Sequence, residues 1–146
     1  MKWHIHAIGR PSLSYARLGI DEYEKRLRRY ADVSLDTGLR DAGSETNSRK
    51  LLERSEGSLR IALDERGRSW STEDFARKVD DWRMDGVKRA SLLVGGAEGH
   101  TEELRKRCDH IVALSSFTLQ HELALVVLLE QIYRVHTILR GEPYHR

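Results

Sequence analysis

The sequence predicts an α/β fold on one mainly parallel sheet, and three observations carry that prediction. Segments with the two-residue alternation of strands take turns with segments whose apolar residues recur every three or four positions. The run Ala90-Ser91-Leu92-Leu93-Val94 is apolar almost throughout, as suits a central strand covered on both faces. A glycine-rich turn, Gly95-Gly96-Ala97-Glu98-Gly99, leaves it at once.

The elements follow in order. In residues 2–8, Trp3, Ile5 and Ala7 share one face of a strand. His4 and His6 share the other and read as solvated side chains rather than metal ligands. Over 13–30, Leu13, Ala16, Ile20, Tyr23, Leu27 and Tyr30 form the apolar stripe of a helix whose charges point outward. A strand is expected at 33–39, then a polar loop from 40 to 50 running into a helix that ends near Gly57. Leu59, Ile61 and Leu63 alternate as a strand over 58–64. Ser71, with Asp74 three residues on, caps a helix whose buried stripe is Phe75, Val79 and Trp82 and which Asp85-Gly86 ends. A short helix at 101–107, a short strand at 111–114, a long helix at 121–139 and a six-residue tail complete the chain. Five strands alternating with five helices predict a five- or six-stranded sheet with helices on both faces.

At 146 residues the chain reads as one domain, 1–146. A formal charge of only +2 argues against a general nucleic-acid coat protein, so any RNA target must be a shaped one or be met by a second subunit. The lone Cys108 supports neither an internal disulfide nor a zinc site, and no metal is expected. The start lacks an apolar run of signal-peptide length, and the longest apolar run, 123–129, is too short to span a bilayer. A cytoplasmic protein with no membrane partner is the expectation.

In parallel sheets ligands bind beyond the carboxyl ends of the strands. That geometry nominates three loops: the one after Asp64, the glycine loop at 95–99, and 115–120. The glycine loop lacks the Lys-Ser/Thr of a phosphate loop and the spacing of the dinucleotide fingerprint. Its two adjacent glycines allow close backbone approach and a positive φ. Leu114-Ser115-Ser116-Phe117-Thr118-Leu119 combines backbone donors and acceptors, small hydroxyls and apolar walls, a mixture suited to an adenosine. It also reads simply as a capped helix entry. The last helix is apolar on every side over 123–129, which suggests burial against a second subunit. Glu130 and Arg134 form a favourable i, i+4 pair, and Arg134 is also a candidate substrate contact. The terminal Tyr144-His145-Arg146 offers an aromatic ring, a group that titrates near neutrality and a phosphate-binding fork.

The carboxyl-terminal third resembles a known family. Leu93-Val94-Gly95-Gly96-Ala97-Glu98-Gly99 is similar to its glycine loop, and residues 114–121 to its Leu-Ser-x-x-Thr-x-x-His segment. Leu129-Glu130-Gln131-Ile132-Tyr133-Arg134 and the ending Pro143-Tyr144-His145-Arg146 are similar to its terminal signature. Weaker matches, among them Ala7-Ile8-Gly9, Glu22-Tyr23-Glu24-Lys25-Arg26-Leu27 and Leu63-Asp64 with Gly67, extend the resemblance over the whole chain. The family is ribosomal RNA large subunit methyltransferase H, of the SPOUT class. Leu125 stands where it commonly has Arg, and Arg10 and Arg68 where it often has Lys.

The resemblance implies a homodimer with a carboxyl-terminal trefoil knot and S-adenosyl-L-methionine as cofactor. It implies methylation of N3 of a pseudouridine in 23S ribosomal RNA of the assembled 70S ribosome. By matching position, Leu63, Gly95, Leu114, Ser115, Ser116, Phe117, Thr118 and Leu119 line the cofactor. The tail is expected to complete the partner's pocket, with His145 as the candidate base, Arg134 and Arg146 stabilising charge and Tyr144 stacking on the base. A SPOUT enzyme acting on transfer RNA, and a non-catalytic ribosome-binding factor of the same fold, are the rival readings.

Overall fold

A computed structural model describes residues 1–146. The elements are β1 (Lys2–Ile8), α1 (Ser14–Leu27), β2 (Asp32–Leu39), α2 (Ser44–Arg54) and β3 (Leu59–Ser69). They continue with α3 (Thr72–Met84), β4 (Arg89–Val94), α4 (Glu102–Lys106), β5 (His110–Ala113) and α5 (His121–Leu139). The sheet has five strands in the order β2-β1-β4-β3-β5, and every pairing is parallel.

Strand alternation sorts the core into two layers. Trp3, Ile5 and Ala7 of β1, with Ile61 of β3 and Leu92 of β4, face α1, α3 and α5. Ile8, Ala62 and Leu93 face the other way, against Leu51 and Leu52 of α2 and Leu104 of α4. The expected helices on both faces are therefore present, and β4 is buried from Ala90 onward because both layers cover it. His6 departs from expectation. It lies on the face covered by α2 and α4, is buried, and sits 3.6 Å from the Asp36 carboxylate rather than in solvent. Alternation identifies a second face but does not tell whether a helix covers it.

The last third of the chain takes an unusual course. β5 occupies the sheet edge beside β3, yet His121, which begins α5, places Nε2 2.7 Å from the Ile8 carbonyl oxygen at the end of β1. Segment 114–120 therefore crosses over the carboxyl ends of β3 and β4 to return to the first strand. β3 is longer than expected because it bulges. Leu63 and Arg68 both pair with Val112, so 64–67 loop out and Arg68 and Ser69 rejoin β5. Gly67 lies so close to β5 that a Cβ there would sit 2.6 Å from the Ile111 carbonyl and the Val112 nitrogen. Only glycine fits that crossing without moving backbone.

Helix α5 packs on α1 and α3. Leu125, Leu128, Leu129 and Ile132 are its buried stripe, and Leu125 is 2% exposed, so this position faces the core and not a nucleic-acid surface. Leu123, Val126 and Val127 remain half-buried within the chain, so the helix is not covered all round by its own fold. The far end is anchored by Trp3, whose Nε1 donates to His136 Nε2 at 2.9 Å.

His136 carries a pH prediction. Burial, reinforced by Arg83 and Arg140, pushes its pKa from 6.5 down to about 4. The unfolded chain takes up a proton at this ring below pH 6.5 and the native chain does not. This contribution to stability is therefore intact above pH 6.5 and is lost as pH falls toward 4. Urea unfolding across that window should show a loss on the order of 2–3 kcal/mol from this group. His136→Gln, which keeps an acceptor for Trp3, should flatten the dependence. An unchanged pH slope in the variant would contradict the assignment.

Candidate functional site

A cleft of about 470 Å³ opens at the carboxyl edge of the sheet, within the size range of small-molecule sites. The three loops nominated by strand geometry all border it, joined by His121 and Ala124 of α5. Of the residues expected around a cofactor, Leu63, Gly95, Leu114, Ser115, Phe117, Thr118 and Leu119 line the cleft. Ser116 belongs to the same turn but not to the lining. Phe117 projects outward and is 82% exposed. The Ser115 hydroxyl accepts from the Phe117 amide at 2.9 Å, which tightens the turn before α5.

The glycine loop is shaped by a neighbour that sequence reading missed. Asp41, in the loop after β2, accepts from Asn47 Nδ2 at 2.8 Å and from the Ala97 amide at 3.2 Å. The Asn47 side chain first, then the backbone donors of Ala97 and Gly43, hold its carboxyl below the usual carboxylate range. A Cβ on Gly96 would lie 2.5 Å from an Asp41 oxygen, so any other residue here must push the Asp41 carboxylate aside. The left-handed backbone falls instead at Gly99, with φ 72°, and neither Gly95 nor Gly96 adopts a positive φ. Glu98, a loop acid, accepts from the Ser44 amide at 3.2 Å and so ties the same loop to α2. Beneath Gly95 lies the buried ring of His100, with Nε2 3.1 Å from the Leu93 carbonyl oxygen. The Asp41 and Ser44 contacts reach the loop from more than 50 positions away, which is why no local motif announced them.

The lining suits an adenosine-bearing cofactor. Leu63, Val112, Leu114 and Leu119 supply apolar walls for a base, and the bare backbone at Gly95 permits close approach. Residues 95–99, 114, 115 and 117–119 border the same space, with main-chain groups available to read polar edges. No group of three or more His, Cys, Asp or Glu side chains that could hold a metal ion occurs, and no helix is long and apolar enough to cross a membrane.

The tail residues form a separate cluster. Arg134 donates from Nε and Nη2 to Glu130 Oε1 at 3.0 and 2.6 Å, and Tyr144 Oη donates to the same oxygen at 3.1 Å. The Arg134 guanidinium lies over the Tyr144 ring, 4.7 Å from its centroid. Arg134 Nη1 donates to His145 Nδ1 at 3.1 Å, which leaves Nε2 to donate to Glu73 Oε1 at 2.9 Å. Burial, together with Tyr23 and Glu130, raises the Tyr144 phenol above its ordinary range. Arg146 is exposed, its Nε 3.4 Å from the Pro143 carbonyl. The tail is thus docked on α5 and the first turn of α3, and Glu73 is a partner of His145 that nothing in the sequence suggested.

Cleft and tail do not meet within one chain. No tail residue lines the cleft. Arg134 is ten residues beyond Ala124, the last helical residue bordering it, or roughly 15 Å along the α5 axis.

The glycine-loop geometry yields a direct test. Gly96→Ala should displace the Asp41 carboxylate and free the Ala97 amide, and the S-adenosyl-L-methionine expected from the sequence, if seated against this loop, should bind about tenfold more weakly, ~1.4 kcal/mol. Titration calorimetry checks this. Unchanged affinity would mean that the Asp41 clamp does not shape the cofactor wall.

Comparison with known proteins shows the family of the chain. A family model described as "Predicted SPOUT methyltransferase" matches residues 1–145. Among similar curated proteins is ribosomal RNA large subunit methyltransferase H of Thermus thermophilus, 49% identical over 146 residues, with 100% of this chain and 99% of the relative covered. The protein of the same name from Deinococcus radiodurans is 40% identical over 146 residues, with the same coverage. A probable methylase family protein from Haemophilus influenzae Rd KW20 shares the fold, with a TM-score of 0.57 at 14% identity, covering 96% of this chain and 65% of that one. A family match over nearly the entire length, joined by full-length relatives, establishes that the chain belongs to the SPOUT methyltransferase family.

Proposed function

We propose that this protein methylates N3 of a pseudouridine in 23S ribosomal RNA of the assembled 70S ribosome, with S-adenosyl-L-methionine held in the cleft at the carboxyl edge of the sheet. Full-length relatives named as large-subunit ribosomal RNA methyltransferases support the substrate class. The observation that carries the mechanism is the separation of cleft and tail within one chain. Both carry residues suited to the reaction, and a two-fold dimer brings one subunit's tail to the other's cleft. The half-buried Leu123, Val126 and Val127 on α5 give such a dimer an apolar surface to cover. The crossing of 114–120 over β3 and β4 is the course a trefoil knot requires, and we assign the knot to it.

The chemistry follows from the side chains. Bound S-adenosyl-L-methionine supplies a methyl group on a sulfonium. Transfer to N3 would form the N–C bond as the C–S bond breaks, so the N3 proton would have to go to a base on the protein. Cleft walls and main-chain groups fix the donor's direction, and positioning of this kind contributes on the order of 7–11 kcal/mol. His145 takes the proton at Nδ1. Glu73 orients the ring through Nε2–H, as the carboxylate of a hydrolase triad orients its histidine. Arg134 occupies Nδ1 in the structure, so its guanidinium must turn to the substrate before the ring can accept. An RNA phosphate or the developing uridine anion is a competing partner for that fork, and Arg146 adds a second. When Arg134 turns to the substrate, the face of the Tyr144 ring that it covers is freed to stack on an unstacked base.

Two measurements test the reading. Labelled S-adenosyl-L-methionine should transfer methyl to 70S ribosomes lacking the modification, with the label in N3-methylpseudouridine, and not to free transfer RNA. Label in transfer RNA, or in no RNA at all, would overturn the assignment. His145→Ala should lower turnover by about 10²–10⁴-fold with cofactor affinity unchanged. Undiminished turnover would remove His145 as the base.

A further inference from the structure

The face where α1 meets the tail contains a grouping of which the transfer reaction uses only Tyr144. Four of the chain's five tyrosines gather there. Tyr133 is 6.0 Å from Tyr23, 5.8 Å from Tyr30 and 4.7 Å from Tyr144, ring centre to ring centre. Arg26 lies 5.5 Å from the centroids of both Tyr23 and Tyr133, and Arg140 lies 4.8 Å from that of Tyr30. Beside these rings a cleft of about 340 Å³ is lined by Glu22, Lys25, Arg26, Arg29 and Tyr133. Glu22 is committed to Arg26 at 2.7 Å. Lys25, in the last turn of α1, and Arg29, in the turn that follows it, are exposed, and neither has a carboxylate within ion-pair distance, whereas Arg28, the C-cap between them, is paired with Glu24.

We propose that this face is a docking surface for the ribosomal RNA backbone next to the target nucleotide, with Lys25 and Arg29 each taking a phosphate and Arg26 held by Glu22 and the tyrosine rings between them. The inference rests on the functional reading above. Three features favour RNA over a protein partner. The unpaired charge is cationic, and the anion it would neutralise is absent from the chain. Aromatic rings interleave with the cations, the combination that binds unstacked, single-stranded nucleotides. The surface is also continuous with the tail through Tyr133 and Tyr144, so a strand seated on it leads directly to His145. In a chain of net charge +2, affinity for RNA must come from such local concentrations rather than from the whole surface.

The test compares the double variant Lys25→Gln/Arg29→Gln with a control, Lys106→Gln/Arg107→Gln, on α4 across the sheet. Binding to ribosomes lacking the modification is measured over a range of salt concentrations, alongside calorimetry with S-adenosyl-L-methionine and the mass of the particle in solution. The double variant should bind ribosomes at least tenfold more weakly. Its slope of log K against log salt should be shallower by roughly 1.4 to 1.8, the release of two phosphate contacts. Cofactor affinity and particle mass should be unchanged, and the control should behave as wild type. An unaltered slope, or a change in particle mass showing that the face is a subunit interface, would overturn the proposal. The binding arm requires no methyl transfer. Wild-type binding with the expected slope but no transfer would therefore count against the catalytic reading and not against this surface.

Discussion

His121 and Glu122 tie the start of the last helix to the first strand and the first helix, and much of the molecule depends on that tie. His121 reaches the Ile8 carbonyl, and the Glu122 carboxylate accepts from the backbone amides of Ser12 and Leu13 at the start of α1, which has no side-chain cap of its own. Those donors hold the Glu122 carboxyl below its usual range. Because β5 lies at the opposite side of the sheet, this attachment obliges 114–120 to cross the ends of β3 and β4. The crossing makes one wall of the cleft. It also directs α5 across the sheet to Trp3, where the His136 bond closes the path.

Consequences for the chemistry follow from that course. A helix that begins at the cleft and runs away from it necessarily carries its own terminal residues out of reach of that cleft. The same helix presents a partly uncovered apolar face over its first turns, as a symmetric partner would require. A composite site, with donor pocket and proton acceptor on different subunits, is the arrangement that reconciles the two. In the proposed composite site the network of Glu130, Arg134, Tyr144, His145 and Glu73 would have a second purpose, holding the tail ordered in advance of substrate and lowering the entropy lost on binding.

Much of this was legible from particular residues. The continuous apolar run at 90–94 located the central strand, and parallel topology then nominated all three cleft loops. The Ser71–Asp74 capping box and the stripe of Phe75, Val79 and Trp82 set α3 as expected. What stayed hidden depends on contacts between distant positions. Asp41 reaches Ala97 and Glu73 reaches His145 through the fold alone, and periodicity carries no record of either pairing. His6 was read as solvated because alternation gives a strand two faces without saying what covers the second. The double glycine suggests conformational freedom, yet at Gly96 the missing Cβ leaves room for a carboxylate. The strand β3 was ended at Asp64 because a bulge returns the chain to its partner only after a break in the pattern.

The central claim is that one subunit's cleft works with the other's tail. Its most direct test is a mixed dimer, co-expressed with two affinity tags and purified through both, in which one subunit is blocked in the cleft by Gly95→Phe and the other lacks the tail base by His145→Ala. Each parent dimer should be inactive on ribosomes. The mixed dimer contains one site with both parts intact and should recover about half the wild-type turnover per dimer. A mixed dimer as inactive as its parents would place cleft and tail of the same subunit in one site and contradict the account.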